Sequence, residues 1–295
     1  MDTLAIEVNN LNYFFRDKEV LKGIDLRIKQ DTIYGLIGKN GAGKTTLMHV
    51  IINQLIAKEG DINILGKDPR RQDDILEEVC MVGEEEFYAP YMRVKDIFKM
   101  YERFYSHYDR GLESKLIEFF ELPIHKALRH YSRGMKSLVF AIIGLCSRAR
   151  ITILDEPTLG MDAENREAFY KILLDEYIKA PRTLIISTHL IDEIEHLIEE
   201  MVILDKGKVI LNDAVEQIKS KSYYLIGQEK AFEVLHRLEC ATFKKMLGSK
   251  AIYVYWGEIE PQLKEQMRRL EIEMHPMSLQ EIFLEKVGGK EYRDE

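Results

Sequence analysis

The chain has 295 residues, 46% of them apolar and 31% charged, which is enough for a large core beneath a solvated surface. A net charge of −8 argues against nucleic acid as the main partner, because phosphate contacts need a basic face. The longest apolar stretch, residues 138–146, falls short of the roughly 20 residues of a bilayer span, and residues 1–5 lack a signal-peptide pattern, so no membrane crossing is expected.

Residues 4–8 and 24–28 alternate as strands do, and Phe14-Phe15-Arg16-Asp17-Lys18 reads as the turn between them. Residues 32–37 form an apolar run that reads as a buried strand. After it comes Gly38-Lys39-Asn40-Gly41-Ala42-Gly43-Lys44-Thr45-Thr46, which leads into a helix ending near residue 56. Strand, glycine-rich turn with Lys-Thr, then helix is the context that makes a phosphate-binding loop. Glycines let the backbone wrap an anion, and the amides together with the positive helix end point at it. Lys44 is expected to reach the β- and γ-phosphates of a nucleoside triphosphate, and the Thr45 hydroxyl to ligate Mg²⁺.

Further short strands are expected at 61–66 and 79–83, helices across 92–130 and 133–147, and a buried strand in Ile151-Thr152-Ile153-Leu154. That strand ends in Asp155-Glu156-Pro157. Asp155 suits Mg²⁺, and Glu156 is placed to act as general base toward the attacking water. Upstream, Tyr131-Ser132-Arg133-Gly134-Met135 opens a helix, where Ser132 offers a hydroxyl and Gly134 a bare amide. A second anion site of this kind makes sense if it serves a nucleotide held by another copy of the chain. Downstream come an amphipathic helix at 163–179, a strand at 183–187 and then His189, just past the carboxyl end of that strand, where a contact to the γ-phosphate is expected. Residues 191–200 read as helix, and 201–204 with 209–211 flank the turn Asp205-Lys206-Gly207-Lys208.

Strands alternating with helices imply an α/β fold with a mostly parallel sheet covered on both faces. Residues 217–221 read as a linker, followed by strand and helix patterns that suggest a small βαββαβ unit, with a frayed tail at 288–295. Cys80, Cys146 and Cys240 are scattered without metal-ligand spacing and read as small buried residues of a reduced compartment.

The order GKNGAGKTT, YSRGM, ILDEP, LGMD, STH resembles the nucleotide-binding subunit of an ATP-binding cassette transporter over about residues 4–215. The resemblance implies a P-loop cassette in residues 1–217 with a helical subdomain at about 85–148, and a small α+β domain in 218–295. It implies that Phe15 stacks on adenine and that Glu84 stands where the family usually has a Mg²⁺-ligating Gln. It further implies that Leu159-Gly160-Met161-Asp162 crosses a dimer interface and that His189 is the switch histidine. ATP, with Mg²⁺, would lie between the phosphate loop of one subunit and Ser132 and Gly134 of a second ATPase subunit, most simply a homodimer. The family's signature is usually Leu-Ser-Gly-Gly-Gln, so Tyr131, Arg133 and Met135 depart from it while Ser132 and Gly134 are kept.

A separate transmembrane permease is expected to dock near Glu84 and residues 87–92, through Phe87, Tyr88, Tyr91 and Met92, which puts the chain in the cytoplasm at the inner face of the cell membrane. Pro276-Met277-Ser278-Leu279-Gln280-Glu281-Ile282-Phe283-Leu284 looks like the C-terminal motif of bacterial exporter ATPases. The YSRGMK wording is similar to a Gram-positive subgroup that includes phenol-soluble modulin exporters. The rival class is a soluble mechanical or regulatory ATPase of the same superfamily. Against it stand the acidic balance, the single cassette and the lack of long heptads.

Overall fold

The computed structural model describes residues 3–83, 91–234 and 241–288, without the side chains of Glu233 and Val234. Its contacts divide the chain into two units, Met1–Asn212 and Asp213–Glu295.

In the first unit two long strands, β1 (Leu4–Phe15) and β2 (Lys18–Lys29), form an antiparallel pair. They run well beyond the segments expected from alternation, and only Arg16-Asp17 turns between them. Bulges between Val8 and Tyr13 break the period-two pattern, which hid the full length of β1. After β3 (Ile33–Ile37) and α1 (Lys44–Ile51), β4 (Glu59–Ile64) completes this three-stranded sheet. Then follow β5 (Val79–Val82), α2 (Val94–Phe104), α3 (Arg110–Phe119) and α4 (Arg133–Cys146). The remaining elements are β6 (Ile151–Asp155), α5 (Ala163–Lys179), β7 (Thr183–Thr188), α6 (Ile191–Ile194), β8 (Glu200–Asp205) and β9 (Lys208–Ala214).

A six-stranded sheet runs in the order β5-β6-β7-β3-β8-β9, and its pairs from β5 to β8 are parallel. The hydrophobic runs of β3 and β7 are buried at every position, as a strand covered on both faces requires. Ile37 is opposite Thr188, and Asp155 is opposite Ser187, so β3, β6 and β7 end side by side. The helix expected over 191–200 stops at Ile194, because Glu200 is already in β8, paired with Tyr34 of β3. Sheet pairing overrode the helical pattern beyond its first turn.

The second unit begins with α7 (Val215–Ser220), so the segment read as a linker is largely helical, with Ile218 buried. Next come β10 (Ser222–Gln228), α8 (Glu229–Val234), β11 (Ala241–Leu247), β12 (Lys250–Trp256), α9 (Pro261–Arg269), β13 (Glu273–Pro276) and α10 (Leu279–Lys286). The strand order β11-β12-β10-β13, antiparallel throughout, is that of a split βαβ sheet. Leu225, Phe232, Ala251, Tyr255, Met267 and Ile272 form its core. The PMSLQEIFL segment is the start of α10. Ser278 and Glu281 make a reciprocal capping box, while Leu279, Ile282 and Phe283 are buried.

One ion-pair network ties the helices of the first unit to its sheet-covering helix α5. Arg148 sits between α4 and β6 and donates to Asp109, the N-cap of α3, at 2.8 Å and to Glu176 of α5 at 2.5 Å. The Arg148 hydrogen bond holds Asp109 below its usual carboxylate value. Burial raises the Glu176 carboxyl, but Lys179 and Arg148 outweigh it and the net shift is downward. Carboxylates depressed in the folded state add stability that is present at neutral pH and lost as pH falls through their folded values. Arg148→Met is therefore expected to lower unfolding free energy by about 2 kcal/mol at pH 7, the scale of hydrogen bonds to charged groups in a partly exposed setting. Urea titrations from pH 7 down to pH 3 check this: the gap between parent and variant should shrink with acid.

Candidate active site

The phosphate loop is held by close backbone packing. A Cβ on Gly38 would lie 2.5 Å from the Leu204 carbonyl oxygen at the end of β8, so that position must be bare. Gly41 and Gly43 have φ of 79° and 108°, conformations that ordinary residues avoid. The Gly207 amide donates to the Ala42 carbonyl at 3.0 Å, and Lys22 N donates to Gly207 O at 2.9 Å, so the β8–β9 turn braces the loop from behind. Lys39, Asn40 and Gly41 remain exposed, and Thr46 lies in the first turn of α1.

Lys44 is 7% exposed and donates to Gly38 O at 2.7 Å. Burial lowers its pKa from the ordinary lysine value, while the Glu156 and Asp155 carboxylates act in the opposite direction. The Thr45 hydroxyl donates to Asp155 Oδ2 at 2.8 Å, so loop and strand end meet at one point. Both are hard oxygen donors, as Mg²⁺ prefers. No cluster of three or more acidic, His or Cys ligands occurs among the described residues.

Glu156 follows β6 with φ of 48°, a strained value for a side-chain-bearing residue. Its amide donates to Ser187 O at 2.8 Å, which fixes the turn. The carboxylate meets His189 Nδ1 at 2.8 Å and accepts from the Thr188 hydroxyl at 3.2 Å. Thr188 was legible as part of the STH motif, yet spacing alone did not reveal that it holds Glu156. His189 is exposed at the end of β7, aimed at the same carboxylate.

The remaining candidates lie elsewhere in the first unit. Phe15 is 61% exposed at the end of β1. Ser132 is the exposed N-cap of α4 and accepts from Met135 N at 3.2 Å. A Cβ on Gly134 would lie 2.1 Å from the Gly160 carbonyl oxygen, and Ser137 Oγ donates to Leu159 O at 2.7 Å. The start of α4 is thus packed on the loop 157–162, a contact no motif announced. Asp162 caps α5, accepting from Asn165 N at 2.8 Å. Glu84, Phe87 and Tyr88 lie outside the described residues. Tyr91 is exposed, with the Arg129 guanidinium 4.5 Å from its ring centroid.

Residues 21–159 match the family model described as "ABC transporter". The chain is 26% identical over 292 residues to the ABC transporter ATP-binding protein YtrB of Bacillus subtilis (strain 168), covering 97% of this chain and 99% of that protein. It is 26% identical over 314 residues to a Nod factor export ATP-binding protein I of Burkholderia orbicola, covering 100% of both. It is also 26% identical to the daunorubicin resistance ATP-binding protein DrrA3 of Streptomyces coeruleorubidus, over 75% of this chain and 72% of that one. Among solved structures, an ATP binding subunit of an ABC transporter superposes with a TM-score of 0.65 at 22% identity, over 73% of this chain and 92% of that one. A nucleotide-free ATP-binding cassette superposes with a TM-score of 0.58 at 19% identity, over 72% and 91%. The matched segment, residues 21–159, carries the ATP-binding, ATP-hydrolysing domain of the ABC transporter family.

Proposed function

We propose that two copies of this chain pair head to tail around ATP and Mg²⁺ and drive a separate membrane-spanning protein in export. One observation carries the pairing. Within one chain the loop half of the site is assembled through Lys44, Thr45, Asp155, Glu156 and His189. Meanwhile the α4 start, with Ser132 exposed and Gly134 against Gly160, is tied to its own neighbours. An anion-binding helix start of that kind completes a site when it is supplied to a nucleotide on another copy. No helix among the described residues is long and apolar enough to cross a membrane, and this reading assigns the transport path to a separate protein. The export direction rests on relatives named for Nod factor export and daunorubicin resistance.

In this reading Lys44 binds the β- and γ-phosphates, and Phe15 stacks on the base. Thr45 and Asp155, with Glu84, would hold Mg²⁺, which would supply positive charge against the phosphates. Glu156 takes the proton of the attacking water, and His189, hydrogen-bonded to it, orients that carboxylate and contacts the γ-phosphate. Asp162 and its loop lie at the pairing surface, so closure excludes water from the composite site. The permease docks near Glu84 and Tyr91.

Lys44→Ala should abolish turnover and weaken nucleotide binding, because it removes the point charge at the phosphates; ATPase assays with a fluorescent nucleotide titration measure both. Glu156→Gln should lower ATPase rate by about 10²–10⁴ while ATP still binds, and should trap a closed dimer on gel filtration. Parental turnover in this variant would remove Glu156 from the role of base. Pairing itself is read by disulfide crosslinking of Lys39→Cys with Arg133→Cys in the presence of ATP. Links between chains support the head-to-tail dimer, whereas links only within one chain refute it. Co-purification of a polytopic membrane protein tests the transport role.

A further inference from the structure

Glu193 lies outside every motif that named the site, yet its carboxylate connects three parts of the frame. Oε1 pairs with Arg166 Nη1 of α5 at 2.5 Å. Oε2 accepts, at a long 3.5 Å, from the hydroxyl of Thr158, which lies two residues past Glu156. That hydroxyl also meets the Tyr170 hydroxyl of α5 at 3.3 Å, in a buried setting. Glu193 itself is in α6, which begins two residues after His189 and spans four residues. A helix so short cannot hold its own shape, so its position must come from what it touches.

The His189 turn is secured at two ends. In front, Thr188 Oγ1 donates to Glu156 and accepts from Leu190 N at 3.1 Å. Behind, Ile191 and Ile194 are buried, and Glu193 reaches Arg166. The front anchor runs through the reacting carboxylate. As Glu156 gains a proton it stops being a charged acceptor for His189 and Thr188, so more of the turn's position falls to the rear anchor. Buried isoleucines set the depth of α6 but little of its rotation, since apolar contact is non-directional. The Arg166–Glu193 pair, with side chains 29% and 21% exposed, is a charged, directional contact, beside the longer Thr158 bond to the same carboxylate.

We infer that Glu193, through Arg166, is a positioning residue that holds the His189 turn in register with the segment following Glu156. The inference rests on the roles given above to Glu156 and His189. It goes beyond them in assigning this ion pair a part in turnover.

The test compares Arg166→Met, Arg166→Lys, Glu193→Gln and the double variant Arg166→Met/Glu193→Gln, with Glu156→Gln as control. ATPase kcat and KM, nucleotide affinity and thermal unfolding are measured for each. Arg166→Met and Glu193→Gln should each lower kcat about tenfold with KM for ATP within about twofold, the pattern of a lost transition-state interaction. The double variant should fall no further than either single one, because both remove the same link. Arg166→Lys keeps a cation and should recover most of the rate. In a His189→Ala background, Glu193→Gln should leave the single-turnover rate unchanged. Arg166→Met or Glu193→Gln at parental kcat beside an inactive Glu156→Gln would overturn the inference and leave the site assignment standing. Multiplying losses in the double variant, or a further fall in the His189→Ala background, would also overturn it. A Glu156→Gln variant with parental turnover would overturn the site assignment and this inference with it. Should Glu193→Gln fail to fold, Arg166→Met against Arg166→Lys decides alone.

Discussion

The site is built round a buried ammonium that faces two carboxylates at the end of one strand. Lys44 is desolvated beside Gly38 O, with Asp155 and Glu156 as its counter-charges. An unpaired buried ammonium would be costly; here the aligned ends of β3, β6 and β7 bring its counter-charges to the same place. The tight backbone approaches at Gly38 and Gly207 serve the same end. They bring the loop that carries Lys44 down onto the sheet far enough for Thr45 to reach Asp155.

The same geometry explains why Glu156 is strained. Asp155 must point one way, toward Thr45, and Glu156 another, toward His189, although they are adjacent in the chain. The positive φ of Glu156 makes that divergence possible, and the Ser187 carbonyl holds it in place. Strain of this kind is tolerated when the surroundings over-determine the conformation, as the two flanking parallel strands do here.

Much of the site was readable from the chain because its parts are contiguous. The loop 38–46, Asp155-Glu156 and Ser187-Thr188-His189 each lie within one strand-to-turn junction, where local chemistry and position coincide. The buried parallel strands were equally plain, being unbroken apolar runs. Contacts between distant segments were not readable: Arg166 with Glu193, Gly134 with Gly160 and Arg148 with Glu176 are set by packing, and no spacing in the sequence encodes them. Element ends went astray where tertiary pairing outweighed local pattern. Glu200 joined a strand although 191–200 is patterned as helix, and the polar stretch around 217–221 became α7 because Ile218 could be buried.

Helix α4 is fastened at both ends to the same downstream stretch of chain. At its start Gly134 abuts Gly160 and Ser137 bonds Leu159, and just past its end Arg148 grips Glu176 of α5. At about 1.5 Å of rise per residue, its 14 residues make a strut about 20 Å long. A strut fastened at both ends cannot tilt against α5 unless one of the fastenings breaks. A push delivered to α3, whose cap shares Arg148, would therefore reach the exposed Ser132 as displacement of a stiff frame, with little of it absorbed by bending along the way.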